Sequence, residues 1–285
     1  MSKSPVIESK RLPRLLDAAR ACNETALAQL RVSGRLSPGQ VHDTRVASKK
    51  LRALWRLMAT LGHDKNAARR DKALKRAAAA LSPSRDAQVA GDTLERLAAA
   101  SHRQFEQQAL RQIAQQLREN GPASTMPDKP ADLEGVFETG LTLWSELNVD
   151  ATGAEVGEAL ARQYALGRRL LEQARERDDE QSWHRFRKGA KFLLYQLEAL
   201  DEPELDTLPL RGLRKLGKRL GDMHDLHMVN GLLRRHARQA EEREPFVIAR
   251  QVVSRHEARL REDVEQRARR LFALKPKIFL RHLNA

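Results

Sequence analysis

VHDTRVASKKLRALWRLM, residues 41–58, is the stretch whose reading decides the fold. As a helix it carries His42, Arg45, Lys49, Arg52 and Arg56 at steps of three, four, three and four. That spacing normally places Leu or Val on a buried seam. At about 100° per residue the five side chains share a stripe about 80° wide. Ala47, Leu51, Leu54, Met58 and Leu61 fall on the opposite side. The stretch thus predicts an amphipathic helix whose polar side is a narrow line of cations.

Neighbours at this spacing sit roughly 5–6 Å apart. At ~6 Å and an effective dielectric of ~20, two like charges repel by about 3 kcal/mol. Exposed cations splay into water and shed most of that, which is the plain reading of a charge run. If the stripe faced another basic surface, relief would need an anion. From His42 to Arg56 the stripe spans about 21 Å at 1.5 Å per residue, which suits an extended polyanion better than a single phosphate.

Composition sets the class. The chain has 285 residues, 52 Lys+Arg against 38 Asp+Glu, and a formal net charge of +14. Hydrophobic residues make up 41%, enough for a core, which argues against a disordered basic tail. Aromatics at 4% argue against platforms that stack single-stranded bases. The charge excess points to an acidic partner: nucleic acid, polyphosphate or an anionic membrane. The single cysteine, Cys22, excludes an internal disulfide. With no signal peptide read, a reducing cytoplasmic setting is expected. No apolar run approaches the ~18 residues that span a bilayer, so no membrane partner is expected. The C-terminal LFALKPKIFLRHL, short, basic and interrupted by Pro276, reads as a docking tail.

Ala, Leu, Arg, Glu and Gln dominate, long stretches show helical periodicity, and no run alternates β-branched residues, so an all-α fold is expected. Helices are predicted over 8–32, 38–61, 65–81, 84–119, 132–147, 154–177, 180–200, 206–220, 222–242 and 244–273, with divisions open in the longer ones. Ser37-Pro38 and Ser82-Pro83 read as start signals, and Gly34, Gly62 and Gly121 as stops. GPASTMPDKPAD, 121–132, is the best linker candidate. It separates a first helical half, 1–120, from a second, 133–285.

The halves resemble each other. His42-x-x-Arg45-x-x-x-Lys49 recurs 142 residues later as His184-x-x-Arg187-x-x-x-Lys191. Leu81-Ser-Pro-Ser-Arg85-Asp86 recurs 139 residues later as Leu220-Gly-Asp-Met-His224-Asp225. A basic amphipathic segment precedes each, KALKRAAAAL (72–81) and RGLRKLGKRL (211–220). Two matching blocks in one order favour internal duplication, as a two-unit repeat and not a solenoid. The second stripe holds His184, Arg187, Lys188 and Lys191, with Tyr195 on the same side and Phe186, Leu193, Leu197 and Leu200 opposite. Related by duplication, the two cationic seams could face each other and line one basic channel.

At these residues the chain resembles the CHAD family, the histidine-containing α-helical domains. The family pattern is a His-x-x-Arg-x-x-x-Lys/Arg-x-x-Arg helix followed by a Leu-Gly-x-x-Arg/His-Asp block, present twice. Here the pairs are VHDTRVASKKLR with LSPSRDAQV, and WHRFRKGAKFLLY with LGDMHDLHMV. The resemblance runs from about residue 8 to 275. It implies two four-helix bundles related by pseudo-two-fold symmetry, with inorganic polyphosphate bound in a basic central groove by a module that is not an enzyme. By position, the implied ligands are His42, Arg45, Lys49 and Arg52, and His184, Arg187, Lys188 and Lys191. Two positions depart from the pattern: Leu194 stands before Tyr195 where a cation is usual, and the first Leu-Gly block reads Leu81-Ser82.

The remaining candidates have two readings each. His42 and His184 either meet the anion or are core histidines bonded to a carbonyl, and one ring nitrogen can serve each purpose. Asp86 and Asp225 are expected to cap the helices that follow. Arg85 and His224 would orient the neighbouring helix or touch the anion. Arg56 continues the first stripe; Arg76, Lys215 and Lys218 either extend the groove or form a solvated face. Cys22 is expected to pack. His224-Asp225, His42-Asp43 and His224-x-x-His227 carry the pairings of a metal-dependent phosphohydrolase, but such a site needs further ligands from other helices. Gly34-x-x-x-x-Gly39 precedes Gln40-Val41 and is no P-loop. The expectation is therefore a non-catalytic polyphosphate binder, suited to polyphosphate granules, with no cofactor, metal or catalytic residue. A helical RNA-binding module is the runner-up and a phosphohydrolase the third reading.

Overall fold

A computed structural model describes residues 10–31, 35–62, 67–81, 85–119, 132–147, 149–200, 210–237 and 244–283. Among the described residues the regular structure is helical throughout: α1 (Arg11–Leu30), α2 (Pro38–Thr60), α3 (Ala67–Ala80), α4 (Arg85–Ala100), α5 (Gln104–Glu119), α6 (Leu133–Glu146), α7 (Gly153–Arg177), α8 (Glu180–Leu200), α9 (Leu210–His236), α10 (Glu244–Leu271) and α11 (Pro276–Leu283). The all-α expectation holds. The start signal at Ser37-Pro38 is used as read: the Ser37 hydroxyl accepts from the Gln40 amide and the Gln40 side chain accepts from the Ser37 amide, a closed capping box. Gly62, at φ 79°, ends α2 in the left-handed conformation that a residue with a Cβ rarely adopts. Gly34, Gly121, Ser82-Pro83 and linker residues 121–131 lie outside the described residues.

Three boundaries differ from the periodicity. The predicted helix 84–119 is two, α4 and α5, separated at 101–103. Ser101 makes the break: its hydroxyl donates to Glu106 at 2.6 Å and accepts from the Arg103 amide at 3.3 Å, an alternative to the helical ladder. The predicted helices 206–220 and 222–242 are one, α9. Gly221-Asp222 does not interrupt it, because Leu216, Leu220, Met223, Leu226, Val229 and Leu233 continue one buried seam through that point. Asp225 therefore sits inside a helix and not at the start of a following one. Asp86 lies outside the residues whose side chains are described. Third, the C-terminal tail is structured, as shown below.

The chain forms two compact units, and neither is a sequence half. The first comprises 1–81, 126–217 and 269–285; the second comprises 82–125 and 218–268. Each takes segments from both 1–120 and 133–285. In the second unit α4, α5, the later part of α9 and most of α10 share one cluster that includes Leu94, Leu110, Ile113, Val229, Phe246 and Val253. The buried Glu106 carboxylate closes its α4–α5 turn, taking Arg255 Nη2 at 2.6 Å beside Ser101.

In the first unit α2 packs against α1, α3 and α8. Leu51, Leu54 and Met58, the face opposite the cations, are buried, as are Phe186, Leu193, Leu197 and Leu200 of α8. The Gln196 amide of α8 donates to the Ala53 carbonyl of α2 at 2.8 Å, a buried bond that ties the two helices together. Trp55 stacks on Trp144 of α6 at 3.8 Å between centroids. The C-terminal segment is core, which corrects the docking-tail reading. Phe279 of α11 stacks on Tyr164 at 4.2 Å between centroids, and Phe272 stacks on the same tyrosine at 5.2 Å. Gly167 leaves the space Phe272 fills: a Cβ there would come within 2.5 Å of the ring. The buried Arg11 guanidinium donates to the last carbonyl of α11, Leu283 O, at 2.7 Å.

Truncating this anchor tests the correction. Phe279→Ala removes a fully buried ring and is expected to lower stability by about 3–5 kcal/mol. Chemical denaturation followed by circular dichroism measures it, and a change below about 1 kcal/mol would return the segment to the status of a surface tail.

Candidate functional site

The cation stripe of α2 lies along α3. His42, at its start, is exposed, while Arg45 and Lys49 are half-buried. Arg45 Nη1 donates to the Ala78 carbonyl at 2.7 Å. Ala78 is in the last turn of α3, where carbonyls have no helical partner and a cation is favoured by the helix dipole. Arg45 is thus held by the fold while it stays in line with the stripe. Farther along, Arg52 Nε donates to Asp71 Oδ1 at 2.7 Å and Arg56 Nη2 to Asp71 Oδ2 at 2.6 Å. Burial pushes the Asp71 carboxyl up, but the Arg56 and Arg52 hydrogen bonds and charges outweigh it and hold it below the usual carboxylate value.

The second stripe, on α8, meets the first at this end. The guanidinium carbons of Arg52 and Arg56 lie over the Phe192 ring of α8, 5.8 and 4.9 Å from its centre. One turn back is Lys188. Partial desolvation lowers its ammonium pKa, and the positive charges of Lys75, Arg52, Arg187 and Arg56 lower it further. These cations come from three helices, α2, α3 and α8, and are near enough to be felt at one nitrogen. The convergence of cations is what a polyanion would relieve. Lys191, half-buried, runs its stem along α9, where Gly217 leaves open the side facing the Lys191 Cε.

His184 is half-buried at the start of the second stripe. Desolvation first, then the charges of Lys188 and Arg187, push its pKa down from 6.5 to about 4. Its imidazole is neutral near pH 7, so it adds no repulsion to the cluster there. His42 is exposed and is not a core histidine.

Arg52, Arg56, Arg187 and Lys188 are therefore brought together, and Arg45 and Lys49 continue the line on α2. Arg76 is an exposed residue of α3, and Lys215 an exposed residue of α9. Lys218 and His224 belong to the second unit, with His224 half-buried and Lys218 exposed. Arg85 lies outside the residues whose side chains are described. Three members were not singled out from the sequence. Lys75, not its neighbour Arg76, is the α3 cation that Lys188 senses. Asp71 is the one acid in a strongly basic helix, and that oddity was its available signal. Phe192 is an aromatic at the margin of a cationic stripe. Among the described residues no group of three or more His, Cys, Asp and Glu could hold a metal ion, and His227 faces Glu257 at 3.4 Å without a third such side chain. No helix among them is long and apolar enough to cross a membrane. The Cys22 thiol is packed as expected, and burial pushes its pKa up to about 11 against the opposing charge of Lys50.

The family model of the CHAD domain matches residues 15–234. The chain belongs to the CHAD family. The CHAD fold is seen too in the crystal structure of the CHAD domain from the plant Ricinus communis, which is 20% identical, covers 91% of each chain, and superposes with a TM-score of 0.62. At that identity the likeness speaks for the fold alone. Among curated proteins none matches the chain.

The His184 environment gives a signed pH dependence. Its folded pKa is below the unfolded one, so between about 4 and 6.5 the unfolded chain binds more protons, and stability falls as pH drops through that window. Denaturation at a series of pH values should show His184→Gln losing less stability over it than the parent protein. Identical slopes would place the imidazole in water.

Proposed function

We propose that this CHAD protein is a non-catalytic binder of inorganic polyphosphate. The observation that carries the reading is the meeting of the two stripes, where Arg52, Arg56, Lys75 and Arg187 all bear on Lys188. Guanidinium groups would grip phosphate oxygens in forks and the lysines would act as point charges. An anionic chain laid along α2 would relieve repulsion at successive turns, and Lys49, Arg187 and Lys191 would extend the contact on both helices. Each phosphate neutralised releases counterions, so affinity should fall steeply with salt. Retention on polyphosphate granules follows from such binding.

Lys188→Glu tests the reading, because it reverses a charge on an exposed side chain and leaves the apolar face alone. Affinity for long polyphosphate should fall at least about tenfold, and the slope of log K against log salt should become shallower by about 1 or more. Calorimetric titration at three salt concentrations measures both, with circular dichroism to show that the helices remain. Unchanged affinity would remove the convergence point from the site. Competition at fixed ionic strength separates polyphosphate from RNA: RNA displacing polyphosphate at equal charge concentration would move the proposal to nucleic acid.

A further inference from the structure

α3 reads AARRDKALKRAAAA, and Asp71 stands there among Arg69, Arg70, Lys72, Lys75 and Arg76. Its carboxylate gives one oxygen to Arg52 and the other to Arg56, at 2.7 and 2.6 Å. Two oxygens of one phosphate would bridge two guanidiniums of the α2 stripe in the same manner. The Asp71 and Arg52 side chains are each only 15% exposed, so this pair is sheltered from water and screening salt. Arg56 is 48% exposed and keeps a face toward solvent. The acid thus occupies the N–H groups that a ligand would need, at the point where the two stripes meet.

We propose that Asp71 is a built-in competing anion that makes the groove discriminate against short phosphates in favour of long chains; the proposal rests on the polyphosphate reading above. A carboxylate fixed on a packed helix competes at an effective concentration that a free ligand rarely reaches. A short phosphate must displace it with the few contacts it makes there. A long chain is also held by Lys49, Arg187 and Lys188, so it can stay bound while Asp71 keeps the two guanidiniums. Removing the charge at position 71 should therefore help short ligands more than long ones.

The experiment compares tripolyphosphate with long-chain polyphosphate on the full chain, in the parent protein and in Asp71→Asn. The variant should bind tripolyphosphate about tenfold more tightly, the gain of roughly 1.4 kcal/mol expected from one freed charge-assisted contact, while long-chain affinity changes less. The ratio of the two affinities then falls. An unchanged ratio, or weaker binding of both ligands, overturns the proposal and makes Asp71 a support that orients the arginines. A second readout uses the parent protein alone and does not depend on the variant folding. With nitrogen-15 arginine, the Arg52 Nε–H resonance should move on saturation with tripolyphosphate, which must displace Asp71, and move less on saturation with the long chain. Movement with both ligands equally also overturns it. If the parent protein binds neither ligand, the polyphosphate reading itself falls. If it binds the long chain and the ratio is unmoved, only the role of Asp71 falls.

Discussion

The packing of α2 against α8 is the contact on which the rest of the candidate site depends. Each helix has a face of leucines and other apolar groups that must leave water, and burying one such side chain is worth about 1.5–3 kcal/mol. Leu51, Leu54 and Met58 on one helix and Leu193 and Leu197 on the other are buried. The cations cannot choose their location independently, since each helix is rigid and its polar seam follows wherever the apolar face is buried. Repulsion between partly exposed charges is screened by water and salt, so burial of the apolar faces wins, and the two basic seams end beside each other.

The repulsion that remains is met by several local devices. Arg45 directs its guanidinium to a carbonyl at the end of α3, where a positive charge is welcome. Arg52 and Arg56 share one carboxylate and lie over the face of Phe192, whose ring attracts cations. His184 gives up its proton under burial and the repulsion of Lys188 and Arg187. Lys188 feels positive neighbours from three helices. The pattern is of a surface neutralised enough to fold, with positive charge left over.

Much of this was legible along the chain. The step of three and four residues at 42–56 located α2 and its two faces, and the repeat at 184–191 located its partner. The start at Ser37-Pro38 and the stop at Gly62 followed from local chemistry that needs no tertiary contact. Periodicity failed where a local signal was overruled. Gly221 did not stop α9, because a single glycine costs a helix interior only about 1 kcal/mol and the buried leucine seam on both sides outweighs that. Ser101 divided a stretch whose apolar pattern continues through it, because its hydroxyl offered the backbone and Glu106 a better arrangement. The aromatic residues near the C-terminus gave no sign of their destination, since Phe279 meets a tyrosine more than a hundred positions away.

The sequence by itself determined the helical class, the family pattern, the excess of positive charge and which residues stand on each cationic seam. Those are properties of short-range spacing and composition, and a helix of 3.6 residues per turn makes them readable. Tertiary structure alone decided which seams meet and which acid answers them. Asp71 and Arg52 are partners because α3 lies against α2, and Lys188 senses Lys75 because α8 brings its ammonium toward α3. It also decided that the compact units cut across the two sequence halves, since a buried core forms between whichever apolar faces fit, not between neighbours in the chain. Charge strength at a point depends on distance in space, and distance in space is what a linear pattern does not carry.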